Sequence, residues 1–213
     1  LRTDRAGANC TEFMAATIIG ITGKCCTGKN EAAEYLQRSG WHVIDVDRTG
    51  HHALAIEKDR LVERFGPKIV APDGSVDRRV LGGIVFNSRK ELQALESIVH
   101  PRMRGMVRSE AEQYRGNGRN VCINAALLFP MQLHTICEHV VRVRAPLCVR
   151  ICRARRRDGL KLNQIVRRFA AQRRLFSKKL TRNVDMYNVW NSADREALYS
   201  EIREFLKSIE RQG

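Results

Sequence analysis

The chain has 213 residues, 43% of them hydrophobic, and a formal net charge of +15. This is enough apolar material for one substantial core, with at most a small appended subdomain. No run approaches the roughly 20 apolar residues that cross a bilayer, and the basic start LRTDRAGANCTEFMAA lacks the apolar stretch of a signal peptide, so a helical membrane protein is excluded and a cytoplasmic location is expected.

Residues 1–13 are polar and unpatterned and are expected to form a disordered leader. TIIGI (17–21) has the β-branched character of a fully buried parallel strand and runs straight into GKCCTGKN (23–30). The stretch NEAAEYLQRSG then predicts a helix stopped by Gly40. A second strand, WHVIDV (41–46), completes a β-loop-α-β unit of the doubly wound type, with Asp45 and Asp47 at its end.

The following region reads as mostly helical. Leu92, Leu95, Val99, Met103 and Met106 keep the spacing of an amphipathic face, interrupted by the turn cluster APDGS (71–75) and by His100-Pro101. VCINAALLF (121–129) and HVVRVRA (139–145) predict further strands. Two helical patterns, about 147–157 and 161–174, are joined by Asp158-Gly159. YNVW (187–190) predicts the last strand, and Leu198, Ile202, Phe205, Leu206 and Ile209 a closing helix.

Charge is concentrated in one place. From Arg142 to Arg182 there are fifteen Lys or Arg against one acid, Asp158, a local balance of +14 that leaves +1 for the rest of the chain. Such a segment calls for a polyanionic partner, either phosphorylated small molecules or nucleic acid. Its only aromatics, Phe169 and Phe176, offer no stacking platform, which argues against nucleic acid and for a mobile arm that folds over polyphosphates. The seven cysteines are odd in number and contain no C-x-x-C pair, so reduced thiols are expected rather than a disulfide framework or a zinc site. Cys148 and Cys152, spaced i, i+4, are expected to be small buried residues on one helix face.

The stretch 23–30 nearly spells the phosphate loop G-x-x-x-x-G-K-[ST]. Gly23 and Gly28 permit the tight backbone; the amides of Lys24, Cys25, Cys26 and Thr27 can converge on phosphate oxygens at a helix N-terminus; Lys29 supplies a point charge. The last position, where a hydroxyl would ligate Mg²⁺, is Asn30, whose amide oxygen is a neutral donor on a longer arm. Glu31 can compensate through a water or simply favour the helix dipole.

In these motifs the chain resembles the dephospho-CoA kinase family. The family's G-[LI]-T-G-G-I-G-S-G-K-S is met by GITGKCCTGKN (20–30) and its V-I-D-A-D by VIDVD (43–47). Its helical motifs are met by VERFGPKIVAPDGSVDRRVLGGIVF (62–86) and LESIVHPRMR (95–104), and its lid by RDGL (157–160) and RRFAAQ (167–172). The resemblance implies an α/β P-loop fold: a three-layer parallel sheet with helices on both faces, a helical acceptor-binding insertion (about 51–118) and a basic lid (about 147–184). The core would comprise about 17–50, 119–146 and 185–213.

The resemblance also implies transfer of the γ-phosphoryl group of ATP, with Mg²⁺, to the ribose 3′-hydroxyl of dephospho-CoA, in a protein expected to be monomeric. Asp47 would orient or deprotonate that hydroxyl, Lys29 would act on the transferring phosphoryl, Arg157 would cover ATP, Asn30 would face the metal, and His100 and Arg104 would lie on the acceptor side. Two departures join Asn30. The family's D-V-P-L-L-F-E reads NAALLFP (124–130), so that acids are replaced by Asn124 and Pro130; D-N-S reads Trp190-Asn191-Ser192. An active kinase, an impaired ATP- or CoA-binding relative, and another small-molecule P-loop kinase all remain open at this point.

Overall fold

The computed structural model describes residues 16–159, 161–172, 176, 181, 184–192 and 194–211. The expected leader, 1–13, lies outside them, as do several of the arm's cations. Five strands form one sheet: β1 (Ile18–Gly23), β2 (His42–Asp45), β3 (Val121–Asn124), β4 (His139–Arg144) and β5 (Met186–Trp190), in the spatial order β2-β3-β1-β4-β5, every pairing parallel. All six residues of β1 are buried, as its near-continuous apolar run requires of a central parallel strand.

Alternation along the strands divides the core between two faces. Ile18, Ile44, Val121, Ile123 and Val140 pack with the helical region 46–116: α2 (Val46–Ile56), α3 (Lys58–Phe65), α4 (Arg78–Val85) and α5 (Arg89–Gly116). Ile19, Ile21, Cys122, Val141, Val143 and Val189 pack beneath α1 (Lys29–Arg38) and the closing helix, which becomes α8 (Arg195–Glu210) once α6 (Leu147–Asp158) and α7 (Leu162–Ala171) of the basic arm are counted. Among the described residues no helix is long and apolar enough to cross a membrane.

Four expectations need correction. The strand read at 41–46 ends at Asp45, because the Asp45 carboxylate accepts from the Asp47 N–H at 3.0 Å and caps α2, whose first residue is Val46. The strand read at 121–129 ends at Asn124, where the chain turns. The arm is not free of the core: Arg150, Ala154 and Ile165 are buried. Finally, Pro101 does not interrupt the helical pattern. α5 runs through it, with Ser88 as N-cap and Val99, Met103, Val107 and Ala111 buried along one stripe on both sides of it.

Tertiary packing of that stripe against α2 overrides the lost N–H of Pro101. A second anchor is Glu57, buried at the α2–α3 junction and paired with Arg60 at 2.9 Å and Arg102 of α5 at 2.8 Å, which together hold its carboxyl below the usual range. Since Pro101 persists by packing alone, Pro101→Ala should stabilise the chain by about 1–3 kcal/mol and raise Tm by several degrees in thermal denaturation. A lower Tm would show that α5 needs the proline's shape.

Candidate active site

Because every strand is parallel, the carboxyl ends of β1, β2 and β3 share one edge, and the loop after β1 opens there. Register aligns this edge: Ile21 of β1 and Asp45 of β2 both pair with Asn124 of β3. The edge borders a cavity of about 690 Å³ lined by residues 23–31, Asp47, Ala126, Arg153, Arg156, Arg157, Arg168 and Gln172. The structure therefore brings together Gly23, Lys24, Cys25, Cys26, Thr27, Gly28, Lys29, Asn30, Glu31, Asp47 and Arg157.

The other two sequence candidates lie outside this lining. His100, on α5, is half-buried, and desolvation holds its imidazole below the ordinary value. Arg104 is exposed and donates to Gln132 Oε1 at 2.5 Å. Pro130 is also outside the lining.

The loop is held from behind. Gly28 has φ +94, and a Cβ there would fall 2.0 Å from Asn191 Nδ2. That same amide nitrogen donates to the Thr27 carbonyl at 2.9 Å, while Arg153 donates to Asn191 Oδ1 at 2.9 Å and to its carbonyl at 3.3 Å. Within the loop, Thr27 Oγ1 donates to the Lys24 carbonyl at 2.9 Å. Cys26 adopts φ 61, a left-handed conformation that costs an L-residue about 1–2 kcal/mol.

The arm closes on the loop from above. Arg150 Nε donates to the Cys25 carbonyl at 2.9 Å, and the Cys25 N–H donates to Gln172 Oε1 at 2.6 Å. Arg150 also stacks on the Phe169 ring at 4.1 Å, which keeps its partly desolvated guanidinium in place. Asp158 gathers two further cations, Arg157 at 2.6 Å and Arg168 at 2.7 Å, and their charge and hydrogen bonds hold its carboxyl below the usual range. Arg150, Gln172 and Asn191 carry roles that the sequence did not assign; Gln172 and Asn191 stood inside quoted motifs, but nothing in their spacing pointed to the loop backbone. Cys148 and Cys152 are exposed, contrary to expectation, because the buried face of α6 is formed by Arg150 and Ala154.

At the centre of the site, the Lys29 ammonium donates to Asn124 Oδ1, and Asn124 Nδ2 donates to Asn30 Oδ1 at 3.3 Å. Burial lowers the Lys29 pKa, and the charges of Asp47 and Asp45 oppose that shift. Two departures from the family pattern thus meet as one amide pair beside the lysine. Glu31 borders the cavity with its carboxylate already engaged: it accepts from Tyr199 at 2.6 Å and pairs with Arg195 at 3.1 Å, tying α1 to α8.

A glycine loop at the carboxyl edge of a central parallel strand, a half-buried lysine at the head of the next helix and an arginine-rich helical pair closing over both define a P-loop kinase. The chain belongs to the dephospho-CoA kinase family, whose sequence model matches residues 17–194. It is 32% identical over 195 residues to a dephospho-CoA kinase of Borrelia garinii subsp. bavariensis, covering 90% of this chain and 94% of that one. With a dephospho-CoA kinase of Moorella thermoacetica it shares 36% over 160 residues, 73% of this chain and 76% of the relative. Among solved structures, a Thermus thermophilus protein superposes with a TM-score of 0.75 at 28% identity, over 91% of this chain and 97% of that one. Dephospho-CoA kinase from Campylobacter jejuni shares the fold, with a TM-score of 0.67 at 21% identity over 92% of this chain and 98% of its own.

Removing the Asn191 side chain would take from the Thr27 carbonyl its buried amide donor and from Arg153 its Oδ1 acceptor, leaving Arg153 only the main-chain carbonyl of residue 191. Asn191→Ala should therefore destabilise the fold by about 1–3 kcal/mol, read as a lower midpoint in urea denaturation. An unchanged midpoint would show that the loop stands without this support.

Proposed function

We propose that this chain phosphorylates dephospho-CoA, transferring the γ-phosphoryl group of ATP to the ribose 3′-hydroxyl and yielding coenzyme A and ADP in the cytoplasm. The observation that carries this reading is the single cavity shared by the phosphate-loop amides, Lys29, Asp47 and the arm's arginines. The stretch 51–118, with His100 and Arg104, would receive the acceptor, and the stretch 147–184 would cover the nucleotide.

Loop amides and the N-terminus of α1 would bind the phosphate oxygens, and Lys29 would follow the phosphoryl group as its charge spreads in the transition state. Arg153, Arg156, Arg157 and Arg168 would neutralise the remaining charge and exclude water. Asp47, exposed on the first turn of α2, would hold the acceptor hydroxyl in line and take its proton as the new P–O bond forms and the bond to ADP breaks.

The donor set fits a hard divalent ion in a particular way. Among the described residues no three or more His, Cys, Asp or Glu side chains converge, so Mg²⁺ would take most of its oxygens from phosphate and water, with the Asn30 amide oxygen and the Asp47 carboxylate facing it. The ion would neutralise phosphate charge.

The test is an assay of ADP release with dephospho-CoA, ATP and Mg²⁺, with coenzyme A identified by mass; no product under saturating conditions would refute the reading. Asp47→Asn should lower kcat by about 10²–10⁴-fold, the usual cost of losing a positioned general base, with ATP affinity within a few-fold. Asp45→Asn should be mild, since asparagine caps a helix as well as aspartate does. Near-normal kcat in Asp47→Asn would remove Asp47 from the chemistry.

A second reading, a relative that binds but turns over poorly, is favoured by the Asn30–Asn124 pair, which replaces a hydroxyl and a carboxylate with neutral amides. Asn30→Ser should raise kcat more than it tightens ATP, because amides and Lys29 bind the phosphates. A fall in kcat would identify Asn30 as a ligand fitted to Asn124.

A further inference from the structure

The phosphate loop carries an unusual pair. Cys25 and Cys26 are adjacent, both line the cavity, both are half-buried, and their sulfurs lie 3.4 Å apart. Cys26 stands where the family pattern has glycine, and it holds the left-handed backbone, φ 61, that glycine would adopt freely. Strain of this kind at a functional loop calls for a reason. The left-handed bend turns the two thiols toward each other.

We propose that Cys25 and Cys26 form a reversible thiol oxidation site in the phosphate loop, closing to a disulfide with a low-molecular-weight disulfide as oxidant and thereby weakening nucleotide binding. The Cys25 thiolate attacks one sulfur of the oxidant RSSR and expels RS⁻. The Cys26 thiol then gives up its proton and attacks Cys25 Sγ, expelling the second RS⁻. The two cysteines lose two electrons and two protons, and the oxidant gains both as two RSH.

Geometry supports each step. The sulfurs need to approach by roughly 1.4 Å to reach bonding distance. A ring between neighbouring residues is strained and readily reduced, which suits a switch rather than a brace. Burial pushes the Cys26 thiol up to about 11, so Cys26 waits as the protonated, resolving partner. Ring closure must rotate the Cys25–Cys26 peptide, whose carbonyl Arg150 holds, while Gln172 holds the N–H of the peptide before it, so the arm shifts with the loop. Cys148 and Cys152 are exposed and lie outside the cavity lining, and they serve as the internal comparison.

This inference rests on the nucleotide reading for its consequence but not for its chemistry. The full chain is reduced, freed of reductant and incubated with oxidised glutathione. The expected product has lost two hydrogens, with the linkage inside the tryptic peptide Cys25–Lys29, and its ATP affinity is lower by about 10- to 100-fold, the loss of one or two charge-assisted hydrogen bonds. A reducing agent should restore affinity, and saturating ATP should slow the oxidation, as reciprocity demands. Cys26→Gly, lacking the resolving thiol, should stop at a glutathione adduct on Cys25.

A linkage at Cys148–Cys152 with the loop thiols intact, or a lasting adduct on wild-type Cys25, overturns the proposal. So does a loop disulfide that leaves ATP affinity unchanged. If the reduced chain fails to bind ATP, the nucleotide reading and the proposed loss of affinity both fail, while the peptide map still decides whether the disulfide forms.

Discussion

Among the described glycines the tightest approach is the contact between Gly28 and the Asn191 amide, and the phosphate loop depends on it. No side chain fits at position 28, where a Cβ would sit 2.0 Å from Asn191 Nδ2 with the backbone at φ +94. The closeness is what lets one amide group hold the Thr27 carbonyl while presenting its oxygen to Arg153. Three distant segments, the loop after β1, the turn after β5 and helix α6, are thereby fixed to one another. Directed amides depend on that fixing, since a loop free to relax would point its N–H groups at water.

The basic arm illustrates how high charge is accommodated. Like charges crowded onto two short helices repel, and the structure relieves this in three ways. Asp158 takes two arginines; Arg150 is spread over an aromatic ring and a carbonyl; Arg153 is absorbed by Asn191. Arg156 lines the cavity together with Arg153, Arg157 and Arg168, where an incoming polyphosphate would neutralise them. The arm is thus held by its polar contacts with the loop as much as by its small apolar interior of Ala154 and Ile165.

The departures from the family pattern become intelligible only as a set. Asn30 and Asn124 are separated by the whole helical region 46–116, yet they bond to each other, and Asn124 holds the Lys29 ammonium. A carboxylate at 124 would have paired with the lysine at full charge; the amide adds no opposing charge of its own, and burial lowers the lysine pKa against the pull of Asp47 and Asp45. The trade is local to the surroundings of Lys29, and Pro130 takes no part in the cavity lining.

Sequence by itself determined the local elements. The β-branched run 17–21, the glycine loop, the amphipathic helices and the charge of the arm are each encoded by neighbours in the chain, so periodicity and turn chemistry reveal them. It also placed Lys29 in the glycine loop and Asp47 just beyond a strand end. What it left undecided were the meetings between segments. Asp45 reads only as a strand-end residue until its carboxylate is seen also to cap α2. Pro101 reads as a break until the packed stripe from Val99 to Ala111 carries the helix through it. Arg150, Gln172 and Asn191 read as ordinary polar residues until sheet register and helix docking bring them onto the loop backbone. Those contacts span long stretches of chain, and their strength comes from desolvation and fixed geometry, which only the assembled tertiary structure supplies.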